Sequence, residues 1–375
     1  MSGITIIGSS FGAVSAVRAL RRRDQSVPIT VLAPKPEMTY YASLIWVPVG
    51  LRRGEDLRID LGDFYRRHKV RFVAGRARAL ENGTRRVLCE DGQTLDNDGL
   101  IIASGGRFIK KLPGIEHALT ICEGIEAAET IHARLQSLQG GTLAFGFAGN
   151  PNEPTAVRGG PMFELMFGIE TWLRRTRQRD NFRLLFFSPA ARPGERLGAR
   201  AVDGLLAQMH KRGIETHLGH KLLKFEADAV HTEGGRIPAN LILFMPGMTG
   251  PAWVQDSALP LSPGGFVLAD AQLRVPGCAH TYVVGDAGSH SGPDWMPKQA
   301  HMADLQGAAA AGNLLDELAG RTPAKTAPAE LVCIVDTLDG GTLVYRTEKR
   351  KLMLRAGLLH TAKRWFERRY IAALR

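Results

Sequence analysis

The sequence predicts an α/β protein in which two doubly wound units with parallel sheets precede a smaller C-terminal module carrying an amphipathic helix. Three observations predict it. The chain opens with a β-branched apolar run, Ile4-Thr5-Ile6-Ile7, which stops at Gly8 and resumes as the helical pattern Val14, Val17, Ala19, Leu20. A second strand, helix and strand recur mid-chain over 142–149, 160–177 and 183–187. From Arg346 to Arg375 there are ten Lys and Arg against two acids, so this stretch carries most of the chain's net charge of +11. At 375 residues the chain is too long for one compact core.

In order, Gly8-Ser9-Ser10-Phe11-Gly12-Ala13 is a strand-to-helix turn whose helix start is open to an anion, because free N–H groups and the helix dipole point there. Against the fingerprint G-x-G-x-x-G its positions read Gly8, Ser10 and Ala13, so Ser10 departs from the pattern. Ile29-Thr30-Val31-Leu32 is the next strand. The acid expected at its end, where ribose hydroxyls bind, is replaced by Ala33-Pro34, leaving Glu37 as the nearest substitute. The aromatic stretch 40–50 reads equally as a buried loop or as a loop covering a ligand.

A helix over 57–68, the strand Val70–Val73, a hairpin around Asp91-Gly92 and the strand Asp98–Ile102 complete the first block. That strand ends in Ala103-Ser104-Gly105-Gly106, residues small enough for backbone to approach a ligand. A helix over 121–138 leads into the second unit. Its turn, Asn150-Pro151-Asn152-Glu153-Pro154, lacks a glycine loop and argues against a nicotinamide dinucleotide there. The chain then returns to the first unit with the strand Asn240–Phe244, the run 281–287 and a long Ala-rich helix over 298–318. The domains are therefore 1–106 and 241–322 for the first unit, 107–240 for the second, and 323–375 for a separate module.

Cysteines 89, 122, 278 and 333 form no CxxC pair, so neither a metal site nor a thioredoxin-like motif is indicated. The N-terminus leads straight into a strand, without a signal peptide, and no apolar run reaches membrane-spanning length. A cytoplasmic protein, at most lying on a membrane, is expected.

Tyr282-Val283-Val284-Gly285-Asp286-Ala287 resembles the V-F-A-x-G-D motif of FAD-dependent pyridine nucleotide–disulfide-type oxidoreductases, whose Asp bonds the flavin's ribityl chain. Asp98–Gly106 resembles their D-x-L-I-I-A-T-G segment, and the three motifs occur in the family's order. The fold implied is two Rossmann-like dinucleotide-binding domains, with FAD held by Gly8, Ser10, Phe11, Gly12, Ala13, Ala103, Ser104, Gly105, Gly285, Asp286 and Lys298.

Within that superfamily the chain resembles sulfide:quinone oxidoreductases and flavocytochrome sulfide dehydrogenases over nearly its whole length. Gly160-Pro161-Met162-Phe163-Glu164 is similar to G-P-A-Y-E, 297–303 to P-K-T-G-H-M-A, Cys333-Ile334-Val335-Asp336 to C-I-A-D, and Lys363-Arg364-Trp365-Phe366-Glu367 to K-x-x-F-E.

The resemblance implies two thiols over one flavin face, and Cys333 matches one of them. Arg158 stands where the other is expected. An arginine cannot carry a persulfide, but it can bind an anion or favour the Cys333 thiolate. Cys122 matches a third family cysteine, so that Cys122 with Cys333, or two buried apolar cysteines, both remain open. Glu164 is the implied proton carrier, raised by burial. Lys298 would face the flavin edge where charge develops on reduction, and His290 and His301 are further proton carriers or structural residues.

In the last module Leu358, Leu359, Ala362, Trp365, Phe366, Tyr370 and Ala373 recur at helical spacing among Lys363, Arg364, Arg368 and Arg369. Periodicity alone suits a core helix. The charge and the resemblance suit a basic membrane-surface helix, with Lys363 and Phe366 at a quinone. No nucleic-acid reader motif accompanies the charge. The reading is an FAD-dependent oxidoreductase passing electrons from sulfide or a related sulfur donor to a quinone, peripheral to a membrane. The alternatives are an NAD(P)H:quinone dehydrogenase and a flavin- or sulfur-binding homologue without turnover. A homo-oligomer stays open.

Overall fold

The computed structural model describes residues 3–375. Two five-stranded, wholly parallel sheets organise it. The first has the strand order Thr281–Val283, Gly99–Ile102, Ile4–Ile7, Ile29–Ala33, Val70–Ala74. Its inner strands are buried residue after residue, as a sheet covered on both faces requires. The helix Phe11–Arg23 lies against the long helix Ala300–Leu318. Gly307 makes their approach possible, because a Cβ there would collide with the Gly12 backbone.

The second sheet has the order Ala118–Leu119, Leu241–Met245, Gly141–Phe147, Phe182–Ser188, Ile214–Leu218. This corrects one expectation. Leu241–Met245 pairs with Gly141–Phe147 in the second sheet rather than reopening the first, so the chain crosses back only after Met245. A fully buried apolar strand fits a central position in either sheet, and only long-range pairing decides which.

Two other expectations change. Residues 57–68 divide into the strand Arg58–Asp60 and the short helix Gly62–Arg67. The last module is not separate. Its antiparallel strands Leu331–Asp336, Gly341–Arg346 and Lys351–Ala356 place Leu331, Cys333, Val335 and Val344 in the core of the second unit. The final helix, Leu359–Ala372, places Ile371 in the core of the first, and Leu374 just beyond its end joins it there. The module bridges both. Among the described residues no helix is long and apolar enough to cross a membrane.

Candidate active site

One large cavity, of about 1810 Å³, runs between the carboxyl ends of both sheets and under the C-terminal module. Gly8, Ser10, Phe11, Gly12, Ala103, Ser104, Gly105, Gly285, Asp286, Lys298, Cys122, Cys333, Glu164, Lys363 and Phe366 all line it. Ala13, Glu37 and His290 do not; Ala13 is buried behind the turn.

At the first-sheet end, Gly8 has φ +116°, and a Cβ there would strike the Ala103 carbonyl. Ser10 is the N-cap at φ −96°, ordinary extended backbone, which explains why this fingerprint position tolerates a side chain. No side chain caps that helix, so its first-turn amides remain open at the cavity wall. Glu37 is not in the lining; it stands near Lys35, and its carbonyl accepts from Ser9 Oγ. Beyond Ala33-Pro34 the wall is instead formed by Gly75, Arg76 and Glu90. Sequence reasoning missed Glu90 because a hairpin, not the strand end, delivers it. These features fit a dinucleotide: an open helix start for a diphosphate, an acid for ribose hydroxyls and, at Gly105, space where a side chain would stand.

The middle of the cavity is ionic. Arg158 pairs with Asp286, and its Nη2 lies 3.5 Å from the Lys298 carbonyl. It stands near Cys122 rather than favouring Cys333, contrary to the sequence-based expectation. Cys122 is a buried thiol, pushed up to about 11 by burial that the nearby Arg158 charge only partly offsets.

Lys298 precedes the helix start at Ala300. Its ammonium donates to the Gly288 carbonyl and sits 4.0 Å from the centre of the Phe266 ring. Burial draws it down to about 8. His290 Nε2 donates to the Gly285 carbonyl at 3.0 Å, and burial with the neighbouring Lys298 charge lowers it to about 4, so it is neutral at pH 7. His301 contacts Glu330 at 3.0 Å.

Cys333 lies on the inward-facing side of its strand, between the exposed Val332 and the partly buried Ile334. A Cβ on Gly160 would stand 3.7 Å from its sulfur, so the thiol sits at the start of the helix Gly160–Arg175. Burial and then the Glu164 charge push Cys333 up to about 12, while the Lys363 charge acts the other way. Cys122 and Cys333 are both free thiols. Arg158 neighbours the first, and Glu164 with Lys363 the second.

Glu164, one turn into that helix, pairs with Lys363 and accepts the Asp336 amide at 3.3 Å. Burial raises its carboxyl to about 7 against the pull of Lys363. For Lys363, burial is the largest influence and lowers the ammonium, but the Glu164 charge and hydrogen bond together with the Asp336 charge leave it raised. Around the pair, Asp336 accepts from Trp46 Nε1 at 2.7 Å and from His360 Nδ1 at 2.9 Å. Trp46 belongs to the aromatic stretch left open above. That stretch serves both readings: Tyr40, Tyr41 and Ala42 line the cavity, while Ser43–Trp46 are buried.

The final helix does not present one apolar stripe. Leu359 and Ile371 face inward, and Tyr370 joins Phe11 and Tyr40 in an aromatic cluster with ring centres 5.4–5.9 Å apart. Leu358, Trp365 and Phe366 point to solvent, 70 %, 55 % and 55 % exposed, as do Leu352, Met353 and Leu354 on the edge strand.

This arrangement has known counterparts. The family model described as pyridine nucleotide-disulphide oxidoreductase matches residues 2–307. The chain belongs to this family. It is a flavoprotein oxidoreductase, and FAD is the cofactor its cavity fits. It is 22 % identical over 356 residues to the sulfide-quinone reductase of Aquifex aeolicus, covering 89 % of this chain and 80 % of that one. It is 26 % identical over 363 residues to the type II NADH:quinone oxidoreductase Ndh of Mycobacterium tuberculosis, covering 87 % and 74 %. The crystal structure of the A. aeolicus sulfide:quinone oxidoreductase superposes with a TM-score of 0.90 at 19 % identity, over 99 % of this chain and 91 % of that one, a likeness of fold.

Proposed function

We propose that this protein is a membrane-peripheral, FAD-dependent oxidoreductase that passes two electrons from sulfide, or a related small sulfur donor, to a quinone. The observation that carries the reading is Cys333, a cavity-facing thiol at a helix start beside the Glu164–Lys363 pair. FAD, when bound, supplies the two-electron acceptor between donor and quinone. The open amides at Phe11–Ala13 would hold its diphosphate, Glu90 its ribose hydroxyls, and Asp286 with the Ala300 helix start the remainder.

Cys333 is the sulfur-binding thiol, and the neighbouring Lys363 charge favours its thiolate against the cost of burial. Glu164 holds a proton below about pH 7 and can pass it through Lys363, which with Phe366 lies on the C-terminal side, where a quinone would arrive. The exposed Leu358, Trp365 and Phe366, flanked by basic residues, support attachment to an anionic membrane surface.

The test is stoichiometry. Purified holoprotein with sulfide and a short-chain quinone should form one quinol per two electrons leaving sulfide, and Lys363→Ala should slow quinol formation. Quinol formed from NADH but not from sulfide would sink the reading.

A second reading, NADH oxidation as in the M. tuberculosis relative, meets an obstacle in the second unit. Twelve residues separate its strand end at Phe147 from its helix start at Gly160. Asn150 spends its amide on the Met248 and Gly264 carbonyls, and Glu153 is bonded by Ser262 and Ser289. That turn is tied down and offers no short run of free amides to a diphosphate.

A further inference from the structure

Three arginines, Arg158, Arg196 and Arg346, line the cavity that also holds Cys122 and Cys333. Arg346 is the register partner of Leu331, two residues before Cys333 on the neighbouring strand, and its Nη1 donates to the Arg196 carbonyl at 2.8 Å. Arg158 is close enough to Arg196 to disfavour its charge, and all three line the cavity. Their charges are unequally balanced. Arg158 has Asp286, whereas Arg196 bonds only neutral carbonyls, those of Thr155, Val157 and Met296.

Among the described residues, neither Arg196 nor Arg346 has a carboxylate within ion-pair reach, and the Nε of each is buried without a hydrogen-bond partner. Glu195 and Asp294 also line this part of the cavity, but both are exposed at its rim. The Arg346 guanidinium stacks on Trp295, 4.6 Å from the ring centre, which fixes its plane. Burial holds both arginines below their usual range, and for Arg196 the Arg158 charge adds to it while Asp286 only partly offsets it.

Partly buried cations without partners are costly, and guanidinium forks suit anions that offer two or more oxygens. We propose that Arg158, Arg196 and Arg346 bind a small oxoanion of the sulfate and thiosulfate type in the cavity that Cys333 lines. That this anion is a sulfur species rests on the sulfur-oxidising reading above; the binding itself rests on the arginines. The chain thereby carries a cation, Arg158, where the family resemblance implies a second thiol, and the cavity accepts an anionic co-substrate or product in its place. A dinucleotide phosphate shares this chemistry, but the tied-down turn at Asn150–Glu153 leaves no seat for the rest of such a molecule.

The test is calorimetric titration of FAD-loaded protein with sulfate, a redox-inert probe, then with thiosulfate and NADPH, each followed in parallel by tryptophan fluorescence. Saturable sulfate binding with a change in emission is expected, thiosulfate competing. Arg346→Gln should weaken it on the order of tenfold or more, and Arg346→Lys by less. Absence of saturable sulfate binding to the folded holoprotein would overturn the proposal, as would equal binding by Arg346→Gln or NADPH binding more tightly than sulfate. Sulfide-driven bleaching of the flavin in the same preparations reports separately on the proposed function, so either claim can fail alone.

Discussion

The two strand-to-helix turns of this molecule share a topology and differ in what they offer a ligand. In the first sheet three residues, Gly8, Ser9 and Ser10, join the strand end at Ile7 to the helix start at Phe11, whose amides stay uncapped at the cavity. In the second sheet the connection folds over the strand end and is fastened through Asn150 and Glu153 to the segments around Met248 and Ser262. Its helix start at Gly160 then meets a thiol, Cys333, delivered by the C-terminal strand. A doubly wound unit thus supplies a place at the ends of its strands, and the length and bonding of one turn decide what that place holds.

The comparison can be broken most forcefully at Cys333. If the second helix start serves sulfur chemistry, Cys333→Ser should slow sulfide-driven flavin reduction by roughly 10³-fold or more while FAD stays bound. Anaerobic stopped-flow checks this, and an unchanged rate would remove Cys333 from the site.

The glycines at the two turns give the next largest contrast. Gly8→Ala must adopt φ +116° and strike Ala103, so a loss of about 2–4 kcal/mol and poor FAD retention are expected. Gly149→Ala meets only Val157, at 3.5 Å, and should stay within about 0.5 kcal/mol of the parent. Thermal melts and flavin absorbance after desalting measure both. Equal effects would mean that the first turn is not a nucleotide seat.

A pH dependence sharpens the role of the second helix start. Burial raises Glu164 to about 7, so its proton is present below that pH and lost above it. In single turnovers of pre-reduced enzyme with quinone, where donor ionisation plays no part, the rate should fall as pH rises through about 7. Glu164→Gln should remove that limb and slow the reaction by about 10²-fold. The smallest effect concerns the module that closes the cavity over both turns. Leu358→Ser with Trp365→Ser, at exposed positions, should weaken co-sedimentation with anionic vesicles by about tenfold and leave the melting temperature unchanged.

The sequence made legible what is local. Gly8–Gly12, Ala103–Gly105 and Gly285-Asp286 stand together at the cavity because each is a strand end with small residues, and backbone conformation writes itself into residue type. Pairings across the fold left no such trace. Arg158 meets Asp286 across 128 positions, and Trp46 meets Asp336 across 290. The sheet to which Leu241–Met245 belongs is decided by neighbours, since an all-apolar strand suits either. The final helix shows the same limit. Its apolar spacing is visible, but that Leu359 and Ile371 turn inward while Leu358, Trp365 and Phe366 turn outward depends on the two cores it bridges.

The central claim, a flavin site fed by sulfur at Cys333 rather than by nicotinamide at the second turn, is tested most directly by one measurement. FAD-loaded protein is mixed anaerobically with sulfide, and separately with NADH, while flavin absorbance is followed. Bleaching by sulfide and not by NADH is the predicted result; bleaching by NADH alone, or by neither, would contradict it.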